Sequence, residues 1–277
     1  MRLDLHVHST ASDGSVSPGD VVRRAVSGRL DVIALADHDT TAGIEEARAT
    51  AEVLARSGGR SVEVVSAIEV STTGHGEELH FLGYFVDPSH PSITSHAVRA
   101  KSIRSERMKE MVRRLDAQGV PVTFEEVVSA AGPDRQALAR PHLARALVDA
   151  GHAASTVEAF DRFIGNAADA FVPTGLLSPT RGIELILSAG GIPVWAHPPH
   201  WLLEELLDPF VEAGLRGLEI YRPKNSASLT MKLEAAARSR GLLVTGGSDW
   251  HGPDSGDLGD FYVTSEEVSG LLETGGI

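Results

Sequence analysis

Hydrophobic positions along the chain follow two different periods, and segments with the two periods alternate. Seven segments have the short apolar or alternating runs typical of β-strands: 2–6, 31–36, 62–70, 78–85, 192–196, 218–221 and 242–245. Most are separated by segments with helical periodicity, among them 17–28, 41–56, 179–188 and 227–240. The first of these opens on Ser17-Pro18, a cap followed by a first-turn proline, and closes at Gly28. Strands that alternate with helices form parallel sheets with right-handed crossovers, so the pattern predicts a closed or nearly closed (β/α) barrel of seven strands.

The alternation stops between about residues 92 and 175, where only helical patterns occur. Met108, Met111, Val112 and Leu115 form the i, i+3, i+4, i+7 stripe of an amphipathic helix. Arg140-Pro141-His142 then introduces a further apolar run over 143–148. We therefore expect a barrel domain built from residues 1–91 and 176–277. A helical insertion, residues 92–175, would cover one end of it as a lid or substrate-binding element.

Composition is that of an ordinary globular protein: 277 residues, of which 42% are hydrophobic and 23% charged. No segment approaches the roughly 18 apolar residues of a membrane span, and no signal-peptide pattern opens the chain. The chain has no cysteine, which excludes disulfides, thiolate catalysis and cysteine-based zinc sites. These features favour a cytoplasmic enzyme that does not bind membranes.

The charge is strongly negative overall but unevenly distributed. A net charge of −13 argues against a general nucleic-acid-coating protein and gives little support to sequence-specific nucleic-acid binding. Residues 97–145 nevertheless hold ten basic and six acidic side chains, so this segment is +4 and the remainder is −17. A basic segment against an acidic body suits an anionic ligand, although a solvated helix face would have the same composition.

Histidines and carboxylates recur at or just after the predicted strands. His6 and His8 are two residues apart, so on a strand both imidazoles point to the same face. The C-terminal ends of barrel strands meet at one mouth, where active sites are built, and this would gather the dispersed side chains. Imidazole and carboxylate together suit Zn, Mn or Fe(II), and an ion normally takes three or four protein ligands. Two or three ions are thus expected on nine candidate ligands: His6, His8, Asp13, His38, Glu69, His80, His197, Asp249 and His251.

Five separated motifs resemble, in order, those of the PHP family, named for polymerase and histidinol phosphatase. They are His6-Val7-His8, Asp37-His38-Asp39, Glu69 with His80, Ala196-His197-Pro198 and Ser248-Asp249-Trp250-His251. The resemblance covers essentially the whole chain. It implies a distorted seven-stranded (β/α) barrel with a trinuclear metal centre that hydrolyses phosphate esters.

The helical insertion, Arg140-Pro141-His142 and Gly246-Gly247-Ser248-Asp249 resemble one branch of that family most. Its members act on nucleoside 3′,5′-bisphosphates, nucleoside monophosphates or short RNA 5′ ends. Carried over by position, the first ion would be held by His6, His8, Glu69 and Asp249. The second would be held by Glu69, His80 and His197, with Glu69 bridging, and the third by Asp13, His38 and His251.

The chain departs from the family pattern at two positions. Many relatives have histidine where this chain has Asp13, although the stand-alone branch often has aspartate too. Relatives of this branch often carry a histidine near the position of Asn225. The first departure concerns the third metal site, and the second concerns the substrate.

The expected reaction is attack of metal-activated hydroxide on phosphorus. A pair of divalent ions would generate the hydroxide and clamp the phosphoryl oxygens. The residues expected to carry catalysis are Glu69, Asp249, His197 and His142. His142 would donate a proton to the phosphate or to the leaving oxygen. Alternatively, it would only cap the helix. Those expected to bind substrate are Arg140, whose planar fork suits phosphate, then Arg104, Lys101 and His200. Residues His75, His90, His96 and His152 are expected on the surface.

Two other functions remain open on the sequence. One is a histidinol-phosphate phosphatase, since a small phosphomonoester is compatible with the same centre. The other is a non-catalytic metal-binding regulatory module, which the intact ligand set disfavours. A small phosphorylated substrate, a nucleotide by preference, is the expected partner.

Overall fold

The computed structural model describes residues 1–133 and 137–277, and the elements below are those of these residues. The strands are β1 (Arg2–Val7), β2 (Val32–Leu35), β3 (Glu63–Gly74), β4 (Glu77–Tyr84), β5 (Ile192–Trp195), β6 (Gly217–Tyr221), β7 (Leu243–Gly246) and β8 (Val263–Thr264). The helices are α1 (Pro18–Ser27), α2 (Ile44–Arg56), α3 (Pro91–Ala117), α4 (Phe124–Ala131), α5 (Arg140–Asp149), α6 (Thr156–Ala159), α7 (Pro179–Ser188), α8 (Leu203–Glu212), α9 (Ala227–Arg240) and α10 (Ser269–Gly275). A π-helical turn, Phe160–Ile164, follows α6, and a 3₁₀ turn, Pro253–Ser255, follows β7.

The strands form one sheet in the order β7-β6-β5-β4-β3-β2-β1-β8. The α/β barrel class is confirmed, but the described residues contain eight strands, because β8 adds a two-residue antiparallel pairing to β1. The expected all-parallel arrangement is wrong at β4, which runs antiparallel to both β3 and β5. Only His75 and Gly76 separate β3 from β4, and both have positive φ (54° and 79°). Two such residues make a tight hairpin, whereas a parallel crossover needs a dozen residues or more.

The chain after β7 closes the sheet against β1 at the end where β1 stops. The amide of His8 donates to the carbonyl of Trp250 (2.9 Å), and the amide of Asp249 donates to the carbonyl of His6 (2.9 Å). Gly247 makes this approach possible, because a Cβ at that position would lie 2.4 Å from the Cβ of His6. The first and last motifs of the sequence are therefore neighbours.

Apolar side chains fill the barrel interior and the space between the sheet and its helices. Leu3 and Leu5 of β1 pack inside with Ala34, Leu82 and Ala196. On the outer side, helix α1 buries Val21, Val22 and Ala25 against strand residues that include Ile33 and Leu35. Ser17 caps this helix as expected, since its side chain accepts a hydrogen bond from the amide of Asp20. This packing on both sides of the sheet fixes the positions of the ends of β1 and β2.

Between β4 and α7 the chain forms α3 to α6 and a cluster of apolar side chains of its own. Met108, Met111 and Leu115, three members of the expected stripe, are fully buried in it. Every buried member of that cluster comes from residues 108–170. No helix in residues 1–133 or 137–277 is both long and apolar enough to cross a membrane.

Candidate metal centre and phosphate-binding cavity

Glu69, near the middle of β3, lies at the centre of the imidazoles. Its Oε2 atom is 3.3 Å from Nε2 of His6, 3.3 Å from Nε2 of His8 and 3.2 Å from Nδ1 of His38. The rings of His6, on β1, and His8, which directly follows β1, have their centroids 5.1 Å apart, in line with their i, i+2 spacing. One carboxylate oxygen thus faces three histidines from two strands.

The other oxygen of Glu69 faces the antiparallel part of the sheet. Oε1 is 3.1 Å from Nδ1 of His80 on β4 and 2.9 Å from Nε2 of His197, which follows β5. These two nitrogens are 3.3 Å from each other. His80 reaches the mouth from the middle of an antiparallel strand, a position that the parallel-barrel rule did not anticipate.

Two aspartates complete the cluster. Oδ1 of Asp249 is 3.4 Å from Nε2 of His8. Oδ1 of Asp13 is 3.4 Å from Nε2 of His251, and its Oδ2 is 3.8 Å from Nε2 of His38. All nine expected ligands therefore meet in one place. Eight of them form three overlapping groups, each with its potential ligand atoms within 4.8 Å of one another: His6, His8, Glu69 and Asp249; His8, Asp13, His38 and His251; and His38, Glu69 and His80. His197 joins the cluster through its contacts with Glu69 and His80.

Several of these atoms are buried without any hydrogen-bond partner in the described part of the chain. They are Nε2 of His6, both ring nitrogens of His8, Nδ1 of His38 and Oε2 of Glu69. An unsatisfied buried polar atom costs about 1–3 kcal/mol, so a folded chain rarely keeps several together without a ligand. A nitrogen and oxygen donor set of this kind fits Zn, Mn or Fe(II). The residues present therefore fit divalent ions.

The electrostatics of the cluster also suit cations. Burial would raise the pKa of Glu69, but the surrounding His38, His6 and His80 hold it well below its usual range, so the carboxylate is ionised. Burial lowers the pKa of His38 to about 3, against the opposing effect of Glu69 and Asp13, which leaves a neutral imidazole. Burial would lower the pKa of His8 as well, yet Asp249 and Glu69 raise it to about 10. The carboxylates thus impose a strongly negative potential on the mouth of the barrel.

Three non-glycine residues at this mouth adopt left-handed backbone conformations: Asp39 (φ 56°), His197 (φ 31°) and Asp249 (φ 58°). Each follows a strand, and each such conformation costs on the order of 1–3 kcal/mol. Strained conformations of this kind persist only where the surrounding structure holds them, and they cluster at active sites and ligand-binding sites. Two of the three are expected metal ligands, and the third binds Arg104.

A layer of residues behind the ligands was not singled out from the sequence. Oε1 of Glu219, on β6, is 2.7 Å from Nδ1 of His6, and Oε2 accepts a hydrogen bond from the amide of His197 (2.8 Å). Nη2 of Arg222 donates to Oδ2 of Asp249 at 2.7 Å. Glu219 could have been found from the sequence, because it is a glutamate inside the apolar strand Gly217–Tyr221. A fully buried carboxylate at such a position requires hydrogen-bond or charge partners.

A cavity of about 220 Å³ opens above the cluster, with Glu69, His197 and Asp249 on its floor and Arg107, Arg140 and Phe160 in its wall. Nη2 of Arg140 donates to Oε2 of Glu78 at 3.0 Å, and Nη2 of Arg107 lies 2.9 Å from Oε1 of Glu78. Burial would raise the pKa of Glu78, but the two arginines lower it to about 2. Arg140 thus lines the cavity, as expected from the sequence. Arg107 also lines it, but the sequence did not single it out.

Arg104 lines the same cavity, but its guanidinium donates hydrogen bonds to other residues of the protein. Nε and Nη2 donate to Oδ2 of Asp39 at 2.8 and 2.6 Å, and Nη2 also donates to Ser71. Nε2 of His96 lies 2.9 Å from Oδ1 of the same aspartate. His96 is therefore buried, and its expected surface position is wrong. Arg104 chiefly fixes helix α3 to the loop after β2.

Three other expected site residues do not line the cavity. His142 is buried, and its Nδ1 accepts a hydrogen bond from the amide of Ala139 (3.0 Å), so it caps α5. Lys101 is exposed on α3 and lines a different groove, between α2 and α3. His200 is exposed and packs edge-to-face on Trp201, with ring centroids 5.1 Å apart. The helix-cap alternative for His142 is the one the structure shows, and direct contacts from Lys101 and His200 are not supported.

Comparison with known proteins places the chain in a family. The PHP domain matches residues 4–165, and the chain belongs to the PHP family. A 5′-3′ exoribonuclease of Haemophilus influenzae is 34% identical over 258 residues, which cover 91% of this chain and 90% of that enzyme. A 3′,5′-nucleoside bisphosphate phosphatase of Chromobacterium violaceum is 31% identical over 260 residues, covering 92% and 89%.

A solved structure agrees. A protein of Bifidobacterium adolescentis, assigned as a metal-dependent phosphoesterase, shares 33% identity and a TM-score of 0.87, with 98% of this chain and 95% of that one covered. The family resemblance and the fold expected from the sequence are confirmed. The chain is a phosphoesterase of the PHP family.

Proposed function

We propose that this phosphoesterase hydrolyses phosphate monoesters of small nucleotides, with nucleoside 3′,5′-bisphosphates and nucleoside monophosphates as its substrates. The observation that carries the proposal is the placement of the nine-residue cluster at the floor of a small cavity with an arginine-rich wall. A cavity of about 220 Å³ suits a terminal phosphate and its sugar rather than the middle of a polymer. The similarity to a 3′,5′-nucleoside bisphosphate phosphatase supports the same substrate class.

The nine side chains would hold two or three divalent ions, Mn, Zn or Fe. His6, His8, Glu69 and Asp249 would form one site, Asp13, His38 and His251 another, and His80 with His197 a third through Glu69. Bound there, such ions supply the Lewis acidity that activates water for attack and neutralises phosphoryl charge. Glu69 presents one oxygen to each side of the cluster, so we infer that it is shared between sites.

The chain's own residues then orient the substrate. Arg140 and Arg107 line the cavity and, among the described residues, are paired with a single carboxylate, Glu78. Two arginines against one glutamate leave a positive excess, which a phosphate would neutralise. We propose that the helical segment 92–175, which supplies both arginines, serves as the substrate-binding lid of the barrel.

A second candidate is removal of nucleotides from the 5′ end of RNA, favoured by the similarity to a 5′-3′ exoribonuclease. A terminal phosphate would occupy the same arginine wall in either reaction. The two candidates differ in the bond that is broken, a phosphomonoester or the first phosphodiester.

Phosphate release and product length, measured in parallel, test the proposal. Adenosine 3′,5′-bisphosphate, adenosine 5′-monophosphate, histidinol phosphate and a 5′-phosphorylated tetraribonucleotide are each incubated with manganese, zinc or iron. The proposal predicts release of inorganic phosphate from the nucleotides, and loss of it in Asp249→Ala with an unchanged circular dichroism spectrum. Shortening of the RNA without phosphate release would favour the second candidate. Turnover of histidinol phosphate alone would contradict the proposal and identify a histidinol-phosphate phosphatase. Metal binding without turnover of any substrate would indicate a regulatory module.

A further inference from the structure

Phe160 contributes an aromatic ring to the wall of the catalytic cavity. Among the described residues that line this cavity, it is the only phenylalanine, tyrosine or tryptophan. The side chain is half-buried, in a lining that is otherwise dominated by ionisable groups. An apolar ring facing a polar cavity exposes surface to water unless a ligand covers it.

The backbone at Phe160 has an uncommon conformation, which fixes the position of the residue at the cavity wall. Residues Phe160–Ile164 form a π-helical turn, closed by a hydrogen bond from the amide of Gly165 to the carbonyl of Phe160 (2.8 Å). A Cβ on Gly165 would lie 2.7 Å from that carbonyl oxygen, so glycine is needed there. Single π-helical turns are rare and occur frequently at functional sites.

Arg140 ties this ring to the phosphate-binding wall. Its guanidinium carbon lies 5.6 Å from the centroid of the Phe160 ring, and Nη1 donates to the carbonyl of Ile164 (3.3 Å) and to Oδ1 of Asn166 (2.7 Å). Nη2 of the same guanidinium reaches Glu78 in the cavity wall. A single side chain thus sets the spacing between the arginine wall and an aromatic surface.

We propose that Phe160 forms a nucleobase subsite, in which the base of the substrate stacks on its ring while the phosphate lies between the arginines and the metal ligands. This inference rests on the proposed function and names the feature that selects nucleotides over other phosphate esters. Every base has a π-face, so such a subsite favours a nucleotide without selecting one base. Its energy is gained on binding and therefore appears mainly in KM.

Two substrates that differ by the base test this subsite: adenosine 5′-monophosphate and ribose 5-phosphate. In Phe160→Leu, which keeps an apolar side chain but loses the ring, kcat/KM for the nucleotide should fall about 5- to 100-fold through KM, as expected for one lost stacking contact. The value of kcat/KM for ribose 5-phosphate should fall much less than that for the nucleotide, and Phe160→Trp should keep the preference for the nucleotide.

Phe171 provides the matched control. Its ring also packs on Arg140, with the guanidinium carbon 5.1 Å from the ring centroid, but it does not line the cavity. Phe171→Leu should leave the ratio of the two kcat/KM values as in the wild type. Equal losses on both substrates in Phe160→Leu, or an unchanged nucleotide KM, would overturn the subsite while leaving the proposed function in place.

Binding separates failure of the subsite from failure of the proposed function. If the wild type turns over neither of these substrates nor adenosine 3′,5′-bisphosphate, the proposed function is wrong, and calorimetric titration of the manganese-loaded protein with the same two compounds decides on the subsite. Weaker binding of the nucleotide in Phe160→Leu, with ribose 5-phosphate unaffected, would support it. Identical affinities of the wild type for both compounds, or no binding of the nucleotide, would contradict it.

Discussion

Oε1 of Glu219 lies 2.7 Å from Nδ1 of His6, and both side chains are fully buried. This contact fixes the orientation of the imidazole, so that its other nitrogen, Nε2, faces Glu69. Carboxylates that hold metal-binding histidines in this way also select the tautomer that presents a lone pair to the ion. The same glutamate holds the backbone of His197, so two of the expected ligands depend on one residue outside the ligand set.

Replacing Glu219 with glutamine should therefore weaken metal binding without removing a ligand. Loss of such a partner typically lowers metal affinity about 10- to 100-fold. Competition with a chromogenic chelator measures this. Glu234→Gln is the matched control, because Glu234 bonds the hydroxyl of Tyr221 on the same strand, away from the ligands. Equal affinities in wild type and Glu219→Gln would show that His6 does not need this partner.

The ion pair between Arg104 and Asp39 predicts a stability effect. Both side chains are almost completely buried, and among the described residues Arg104→Met leaves the Asp39 carboxylate with only His96 and the amide of Ser71. Removing one partner of a buried ion pair destabilises a protein by about 3–5 kcal/mol. Urea denaturation should show this loss.

Arg113→Met, on the same helix, provides the control for that measurement. Arg113 is exposed and pairs with Glu110, so its loss should leave the free energy of unfolding nearly unchanged. Comparable midpoints for the two variants would mean that the buried pair does not anchor α3.

His142 offers a test that separates helix capping from catalysis. In His142→Asn, the amide oxygen can still accept a hydrogen bond from the backbone amide of Ala139, so kcat should stay near the wild-type value. Loss of a general acid would instead reduce kcat about 100- to 10,000-fold. Steady-state kinetics with a nucleotide distinguish the two. A reduction of that size in a folded variant would restore His142 to the catalytic set.

Removal of divalent metal should destabilise the fold, because the buried ligand atoms would lose their partners. Adding manganese to metal-depleted protein at about 100 times its dissociation constant should contribute about 2.7 kcal/mol. Differential scanning calorimetry would register this as a rise in Tm of several degrees. An unchanged Tm over a full manganese titration would argue against binding to the folded state.

The parts of the site that the sequence predicted are those in which local spacing determines direction. The i, i+2 spacing of His6 and His8 predicted that both imidazoles point the same way, and their rings do lie side by side at the end of β1. The barrel rule then brought Asp249 to the same mouth as β1, although the two ends of the chain are far apart in sequence. Helices α1, α7 and α9 begin and end within one residue of their predicted bounds.

Other features depend on tertiary contacts that no local pattern encodes. Nothing in the helical period of α3 distinguishes His96, which reaches Asp39, from an exposed histidine on that helix. Glu219 resembles any acid in a strand until His6 is placed opposite it. The antiparallel β4 is different, since the short Gly74-His75-Gly76 link already ruled out a crossover and was a usable hairpin signal.

The metal content of the purified protein tests the central claim most directly. After dialysis against manganese and removal of unbound ion, elemental analysis should find two or three ions per chain, given three or four ligands for each ion. Because Glu69 touches both sides of the cluster but does not belong to the group of Asp13, His38 and His251, Glu69→Gln should retain at most about one ion while keeping its circular dichroism spectrum. A wild-type chain that holds no divalent ion, or a Glu69→Gln chain with the wild-type content, would contradict the account.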